Sequence, residues 1–527
     1  MSLRAISRLT FLNACSAVVS VLTSVVMAWL FGTSTPAQVY LAAATCLAIA
    51  QRLFMVGQFS DVFLPQYVKL RETEGGVKAD RCFSALFNHV MLMLVGIGAL
   101  IALFASGFAR LIAPGFSAAD QVQVGSLLRG MVPAMILLVA NGHLQIVGNA
   151  RGWYGRFEAY GLAGNFLGLL SFIVTAKWFG VWSLVLSQIV MQLTTLLGSI
   201  YYLHRQGYRH AWITHEPGFS VWQVSANVGL TAVYVLATQW YAIVFTAAIT
   251  YLPGGVLAVY KYAENLYTRV GSLFMRPVGI VFFTDAAQLT QRAPTQLRER
   301  ISHALYHYAL MYLGVIGVLF PALRNLLGGL WGGPRYGAAE IHLTTIYAWC
   351  LFGFLIVDGV GITYRRLNIA MGDLRMQYYI LTLVQIGSAL LCPLIVRGLG
   401  VNGAPVVLGL NIIFFLLAGL GLLLLRRPVY FAWFPKYTWK LAVTGAGPLL
   451  AAWLLPHFVP WLNYSGNYSI TGKVLELLKA AMMAGLGLAM LAGMATWLKV
   501  KEADAVWRWM REQLHALRPA RTALKTP

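Results

Sequence analysis

The sequence predicts an all-α polytopic membrane protein of about fourteen transmembrane helices, arranged as two pseudo-symmetric six-helix lobes followed by two further helices. Three observations carry this expectation. Hydrophobic residues make up 59% of the 527 residues and charged ones 11%, and the mean hydropathy is +0.69. The apolar residues fall in continuous runs of roughly 20, the length at which a helix spans about 30 Å of hydrocarbon. The runs lack the strict alternation of barrel strands, and only helices and closed barrels satisfy their backbone groups in lipid.

Taken in order, the expected spans are 9–31, 37–64, 84–112, 124–148, 158–178, 181–203, 221–248, 255–283, 302–326, 341–364, 377–396, 403–425, 439–458 and 474–498. The first follows only the short basic stretch "MSLRAISR", and its end, "TSVVMAWLFG", makes a poor cleavage site. A retained helix is expected there rather than a removed signal peptide. Basic residues crowd alternate connections: Lys69, Arg71, Lys78 and Arg81 after the second span, Arg151 and Arg156 after the fourth, Arg205 and Arg209 after the sixth. The same side receives Arg292, Arg298 and Arg300, then Arg365, Arg366 and Arg375, then Arg426, Arg427, Lys436 and Lys440. The opposite connections hold few, chiefly Lys177, Arg324, Arg335, Arg397 and Lys473. The asymmetry predicts that both termini are cytoplasmic.

It also accounts for most of the net charge of +22 without nucleic acid. The basic, partly amphipathic tail, 501–527, suits an anionic inner leaflet. Cys15, Cys46, Cys82, Cys350 and Cys392 lie in or beside apolar spans with no CxxC spacing, so packing roles are expected and no metal site or disulfide.

The chain repeats itself weakly. "AQRLFMVG" (50–57) can be laid on "AENLYTRVG" (263–271), and "SAADQVQVGSLLRGMVPAMILLV" (117–139) opens the fourth span much as "GAAEIHLTTIYAWCLFGFLIV" (337–357) opens the tenth. The pairs occur in the same order, six spans apart. The expected division is therefore 1–215 and 216–430 as lobes, 431–500 as two extra helices and 501–527 as the tail. An even repeat keeps both lobes in one orientation, and transporters built this way place their substrate between the lobes.

The eighth span, "VYKYAENLYTRVGSLFMRPVGIVFF" (259–283), carries Lys261, Glu264, Arg269 and Arg276. Lys261, Asn265, Arg269, Ser272 and Arg276 fall within an arc of about 80° on a helix, which gives one polar, cationic face. A charge at mid-membrane costs about 2.5–3.5 kcal/mol, so Arg269 must be paired or line a wet cavity. Asn13, Ser16, Ser20 and Ser24 share a side of the first span, and Asn227, Thr231, Tyr234, Thr238 and Tyr241 a side of the seventh. Gln51, Arg52, Gln58 and Asp61 lie in the second. Together these faces predict a cavity with a surplus of positive charge and an anionic substrate. Blander roles stand beside this one. The small residues of the first span can serve close packing, Glu264 can neutralise Lys261 or Arg269 as a structural pair, and Arg276 can snorkel to the interface.

"RLFMVGQFSDVFLPQYVKL" (52–70), "APGF" (113–116), "GNARGWYGRFEAYGLAGNFLG" (148–168), "YKYAENLY" (260–267) and "IAMGDLRMQ" (369–377) together resemble the MurJ/MviN lipid II flippases of the MOP exporter superfamily. The resemblance runs over most of 9–425 and implies a MurJ-like fold, with the first, second, seventh and eighth helices lining a cavity open to either side in turn. It also implies an undecaprenyl-diphosphate-linked sugar as substrate and a groove for the lipid tail on the last two helices. Departures are specific. Where the family has cavity arginines in its first helix this chain has Ala17 and Thr23, where it has a pair in the second there are Gln51 and Arg52, and where it has Asp-Arg in the eighth stand Glu264 and Asn265. Lys261 and Arg269, one turn to either side of Asn265, restore positive charge. The expectation is a flippase for another lipid-linked saccharide, an exopolysaccharide or O-antigen-type repeat unit, with lipid II as the alternative.

No covalent chemistry and no cofactor are expected. Coupling to membrane potential, H+ or Na+ stays open, with Glu264, Asp61 and Asp358 as the acids to consider. Membrane lipids and polysaccharide-assembly proteins are the candidate partners. A membrane glycosyltransferase is disfavoured because the first outer connection, "GTSTPA", and the longest, 456–473, contain no carboxylate. A multidrug cation exporter would want an acidic cavity, and an ATP-driven pump a GxxxxGK[ST] loop, which the sequence lacks. Cysteines introduced at Gly76 and Ser465 should be labelled by impermeant reagents from the cytoplasmic and the outer side respectively; labelling of both from one side would overturn the topology.

Overall fold

The computed structural model describes residues 3–53, 56–151, 153, 155–292, 294–371, 374–426 and 438–498, and among them the only extended pairings are two isolated bridges, Glu216 with Phe219 and Gly333 with Tyr336. The helices run in the order α1 (Leu3–Leu30), α2 (Thr35–Leu53), α3 (Val56–Thr73), α4 (Gly76–Leu103), α5 (Ala105–Ile112), α6 (Ala118–Ala150), α7 (Arg156–Phe179), α8 (Trp182–Arg205) and α9 (Val221–Ile249). They continue as α10 (Val256–Arg292), α11 (Pro294–Trp331), α12 (Ala338–Gly353), α13 (Leu355–Ala370), α14 (Leu374–Leu399), α15 (Gly403–Arg426), α16 (Thr438–Phe458) and α17 (Ile470–Trp497). Every expected span falls on one helix or on two consecutive ones: the second on α2 and α3, the third on α4 and α5, the tenth on α12 and α13. Among the described residues, nine stretches are long and apolar enough to cross a bilayer, one of them running through both α14 and α15, and Val233–Ile249 and Ala442–Phe458 are shorter apolar helices. The basic tail, 501–527, lies outside the described residues.

By contact density the chain divides into two compact units: Met1–Leu273, Gly333–Leu351 and Gly372–Gly419 in the first, Phe274–Gly332, Phe352–Met371 and Leu420–Pro527 in the second. This grouping by contact is a different division from the lobes drawn on internal repetition.

In the first unit α7 packs along α8, α9 along α14, and α2 along α6. Small residues permit the closest of these approaches. Gly168 sits where a Cβ would come within 3.0 Å of the Ser187 carbonyl oxygen, and Ser187 Oγ donates to the Gly168 carbonyl at 2.8 Å. One cluster of buried side chains, including Phe63, Tyr67, Phe83, Leu86, Val139 and Tyr208, fills the space between α3, α4, α6 and the chain after α8. A polar knot lies at its edge. Tyr67 OH donates to Asp80 Oδ1 at 2.6 Å, Arg151 Nε donates to Tyr67 OH at 2.9 Å, and Arg151 Nη2 is ion-paired to Asp80 Oδ1. The Arg151 guanidinium also lies 5.0 Å from the Trp153 ring centroid. Beside it, Asn88 Nδ2 donates to the carbonyls of Ala211 and Ile213 at 2.9 and 2.8 Å, and Arg81 Nε meets Glu216 Oε2 at 2.9 Å. These bonds lay the connection between α8 and α9 onto α4. Burial lowers the pKa of His210, within that connection, which suits its place against Tyr208 and Asn88 Oδ1.

In the second unit α11 packs along both α16 and α17. The chain crossing is again set by glycine: a Cβ on Gly487 would meet Pro321 Cγ at 2.8 Å and the Gly317 carbonyl closer still. Glu476 and Lys479 of α17 form an ion pair at 2.9 Å with side chains 0% and 3% exposed. Glu476 Oε1 also accepts from Ser465 N and Ser465 Oγ at 3.0 and 2.8 Å, and Lys479 Nζ donates to the Asn463 carbonyl at 2.9 Å. The connection between α16 and α17 is thus pinned by two charges that belong to the helix.

Removing Arg151 strands the Asp80 carboxylate, since the paired side chains are only 6% and 10% exposed. Arg151→Ala should cost about 3–5 kcal/mol of stability, and adding Asp80→Ala should recover part of it, because the unpaired carboxylate is the larger loss. Thermal unfolding of the detergent-solubilised variants measures both; a double variant no more stable than the single would show that the pair is not the source.

Candidate functional site

The site grows from α10. Lys261, Asn265 and Arg269 follow one another at four-residue steps, so they stack along one face of the helix. Lys261 Nζ pairs with Glu264 Oε2 at 2.9 Å, and Tyr260 OH donates to the other carboxylate oxygen at 3.4 Å. Of the structural pairings open to Glu264, the structure contains the one with Lys261. With side chains 17% and 38% exposed, the pair is worth on the order of 1 kcal/mol or less where water reaches it.

Asn265 is the joint of the site. Its Nδ2 donates to Ser24 Oγ of α1 at 2.7 Å, and Ser24 Oγ donates to the Ser20 carbonyl at 3.3 Å. Its Oδ1 accepts from Arg269 Nε at 3.3 Å. One amide therefore ties the first span to the eighth and steadies the guanidinium, which is exposed. A planar guanidinium is the side chain whose geometry suits two oxygens of a phosphate.

An aromatic wall backs the stripe. The Tyr241 and Phe245 rings of α9 lie 5.9 Å apart, Phe245 meets the Tyr260 ring at 5.1 Å and Tyr260 meets Tyr347 at 6.0 Å. Tyr234 packs against Tyr378 at 5.4 Å, so part of the polar side expected on the seventh span faces α14. Beyond Lys261, two side chains of the first unit donate to backbone carbonyls at the end of α1 and just after it. Tyr262 OH donates to the Gly32 carbonyl at 3.2 Å, and Arg335 Nη1 donates to the Leu30 carbonyl. Gly32 has φ +56° and no room for a Cβ against the Arg335 backbone, and Gly115 has none against Thr250.

Of the other expected residues, Arg52 and Asp358 have described side chains. Arg52 is exposed in the last turn of α2. Asp358 is in the first turn of α13, 3.7 Å from Arg365 Nη2. The side chains of Gln51, Asn227, Arg276 and Asp61 are outside the described ones. Thr23, where the family pattern has an arginine, donates to the Val19 carbonyl at 3.0 Å. Asn165 Nδ2 donates to Ser16 Oγ at 2.5 Å, a contact the sequence signalled only as an amide within an otherwise apolar fifth span.

The family model described as "Lipid II flippase MurJ" matches residues 27–325, more than half of the chain. The chain belongs to the MurJ lipid II flippase family. A solved structure described as "Lipid II flippase MurJ, inward closed conformation" is 15% identical, with a TM-score of 0.71 over 92% of this chain and 98% of that one. An inward-facing multidrug resistance MATE family transporter of the MOP superfamily is 12% identical, with a TM-score of 0.61 over 79% and 95%. A MOP superfamily transporter from Pyrococcus furiosus is 14% identical, with a TM-score of 0.58 over 81% and 96%. No curated protein matches the chain in sequence. At these identities the structural likeness carries the fold, which is that of the MOP transporters, and the MurJ family places the chain among flippases rather than catalytic enzymes. It is a multi-pass membrane protein.

The Asn265–Ser24 bond of this MurJ-family chain should behave as one interhelical interaction. Asn265→Ala and Ser24→Ala should each lower stability, and the double variant should lose less than their sum, with a coupling of about 0.6–1.7 kcal/mol. Strict additivity in a thermal double-mutant cycle would show that the two side chains do not support each other.

Proposed function

We propose that the chain is a flippase that moves an undecaprenyl-(di)phosphate-linked saccharide from the cytoplasmic to the outer leaflet by alternating access. The observation that carries the proposal is Arg269: an exposed cation within the long helix α10, oriented by Asn265, which is itself held by Ser24 of α1. A cation there is costly in lipid and useful to an anionic ligand. Arg269 grips phosphate oxygens through charge-assisted hydrogen bonds, Arg52 and Lys261 add positive potential, and Gln51, Asn227 and Arg276 are the further candidates from the sequence. The sugar occupies the polar faces while the prenyl tail stays in lipid, with 431–500 as its groove. The lobes 1–215 and 216–430 rock about the site, both termini on the cytoplasmic side of the inner membrane.

Opening toward the outer side then requires breaking the contacts that join Leu30, Gly32 and Gly115 to Arg335, Tyr262 and Thr250. No bond is made or broken in the substrate and no cofactor is required. The driving force is membrane potential, H+ or Na+, with Glu264, Asp61 and Asp358 as the acids to consider.

The substitutions Ala17, Thr23, Gln51 and Asn265 at family arginine positions favour a saccharide other than the peptidoglycan precursor, an exopolysaccharide or O-antigen-type repeat unit. The match of the family model over 27–325 favours the second reading, lipid II itself. Complementation of a strain depleted of its lipid II flippase separates the two. Polysaccharide-assembly proteins are the partners under the first reading.

Because Glu264 is already paired with Lys261, loss of Arg269 strands no carboxylate. Arg269→Ala should leave the protein abundant and folded while lowering translocation of a fluorescent polyprenyl-diphosphate saccharide in proteoliposomes by roughly 10–100-fold, the value of a charge-assisted bond. Arg269→Lys should restore only part, since an ammonium lacks the planar fork. Unchanged translocation in Arg269→Ala, or an abundance defect rescued together with transport by Glu264→Gln, would sink the binding role.

A further inference from the structure

The face of α9 turned away from Tyr241 and Phe245 lines a second feature. Trp240, Val244 and Ala247 recur at helical spacing toward the end of α9 away from the basic connections, and with Tyr251 just beyond that end and Val396 and Arg397 of α14 they line a cavity of about 450 Å3. That volume is in the range of small-ligand sites. Trp240 and Tyr251 are 49% and 60% exposed, so the cavity opens on the outside of the helix pair. Its position suits the membrane interface, where amphipathic aromatic rings gather.

The lining side chains are aliphatic or aromatic except for one charged residue. Arg397 stands in the last turn of α14, exposed, and among the described residues its guanidinium has no hydrogen-bond or ion-pair partner. A free phosphate would meet the cation but leave the Trp, Val and Ala walls unfilled, and a purely apolar ligand would leave the cation unused. The ligand that satisfies both has an acyl chain and an anionic head. We infer that the cleft between α9 and α14 is a binding site for an anionic phospholipid of the leaflet opposite the basic connections, with its acyl chain along Val244 and Ala247 and its phosphate on Arg397. This site is separate from the stripe on α10 and does not depend on which saccharide is carried.

The test uses the full chain in nanodiscs of phosphatidylethanolamine containing a phosphatidylglycerol with a photoreactive diazirine in its acyl chain. Labelling should map to peptides covering 240–252 and 393–400. Ala247→Trp, which fills the cavity, should reduce it about tenfold, and Arg397→Gln, an exposed change that leaves the packing intact, should reduce it about fivefold. A diazirine-bearing phosphatidylcholine should show no dependence on Arg397 beyond twofold. Labelling unmoved by both substitutions, labelling confined to other helices, or displacement by undecaprenyl phosphate but not by unlabelled phosphatidylglycerol would each overturn the proposal.

Discussion

A charge inside hydrocarbon has three tolerable conditions: a partner, water, or a short reach to the interface. Everything distinctive in this molecule follows from how its few charges meet one of them. Lys261 has Glu264, Lys479 has Glu476, and Arg269 has an exposed position and the amide of Asn265, while at the margin of the spans Arg151 has Asp80. Apolar helices pack together for many reasons, but these residues fix which faces turn inward. A helix that turned Arg269 into lipid would bear a cost comparable to the bond it is proposed to make with substrate.

Close helix contact in each unit depends on the absence of side chains as much as on their presence. Gly168 against Ser187 and Gly487 against Gly317 bring backbones together where no larger residue fits. In water such contacts would add to an already favourable apolar burial. In lipid, where the surrounding tails are as apolar as leucine, they are a main source of association, together with interhelical bonds such as Asn265 to Ser24. The two devices coincide where α10 meets α1 and the turn after it, with Ser24 and Gly32 giving successive footholds to Asn265 and Tyr262.

The helices were legible because apolar run length is a local property, and the cationic face of α10 because helical spacing is local too. The Lys261–Glu264 pair follows from a spacing of three. The MurJ family was legible from an ordered set of short motifs. What escaped were contacts between residues far apart in the chain. Asn265 and Ser24 are 241 positions apart, and nothing in either polar face specifies the other. Arg151 counts in the sequence as one more cytoplasmic positive charge, yet it is buried against Asp80, 71 positions earlier. The connection 456–473 contains no carboxylate of its own, and the acid that organises it, Glu476, enters from the following helix. Burial of a charge is decided by its partner, and the partner is a tertiary fact.

The spacing of two of these pairs bears on how the chain reaches the membrane. Lys261 with Glu264, and Glu476 with Lys479, lie three residues apart on single helices. Each pair closes as soon as its own helix winds, before any neighbour arrives. During synthesis α10 and α17 can therefore present these positions to the insertion machinery as local pairs rather than as separate ions, with no need of a partner from another helix.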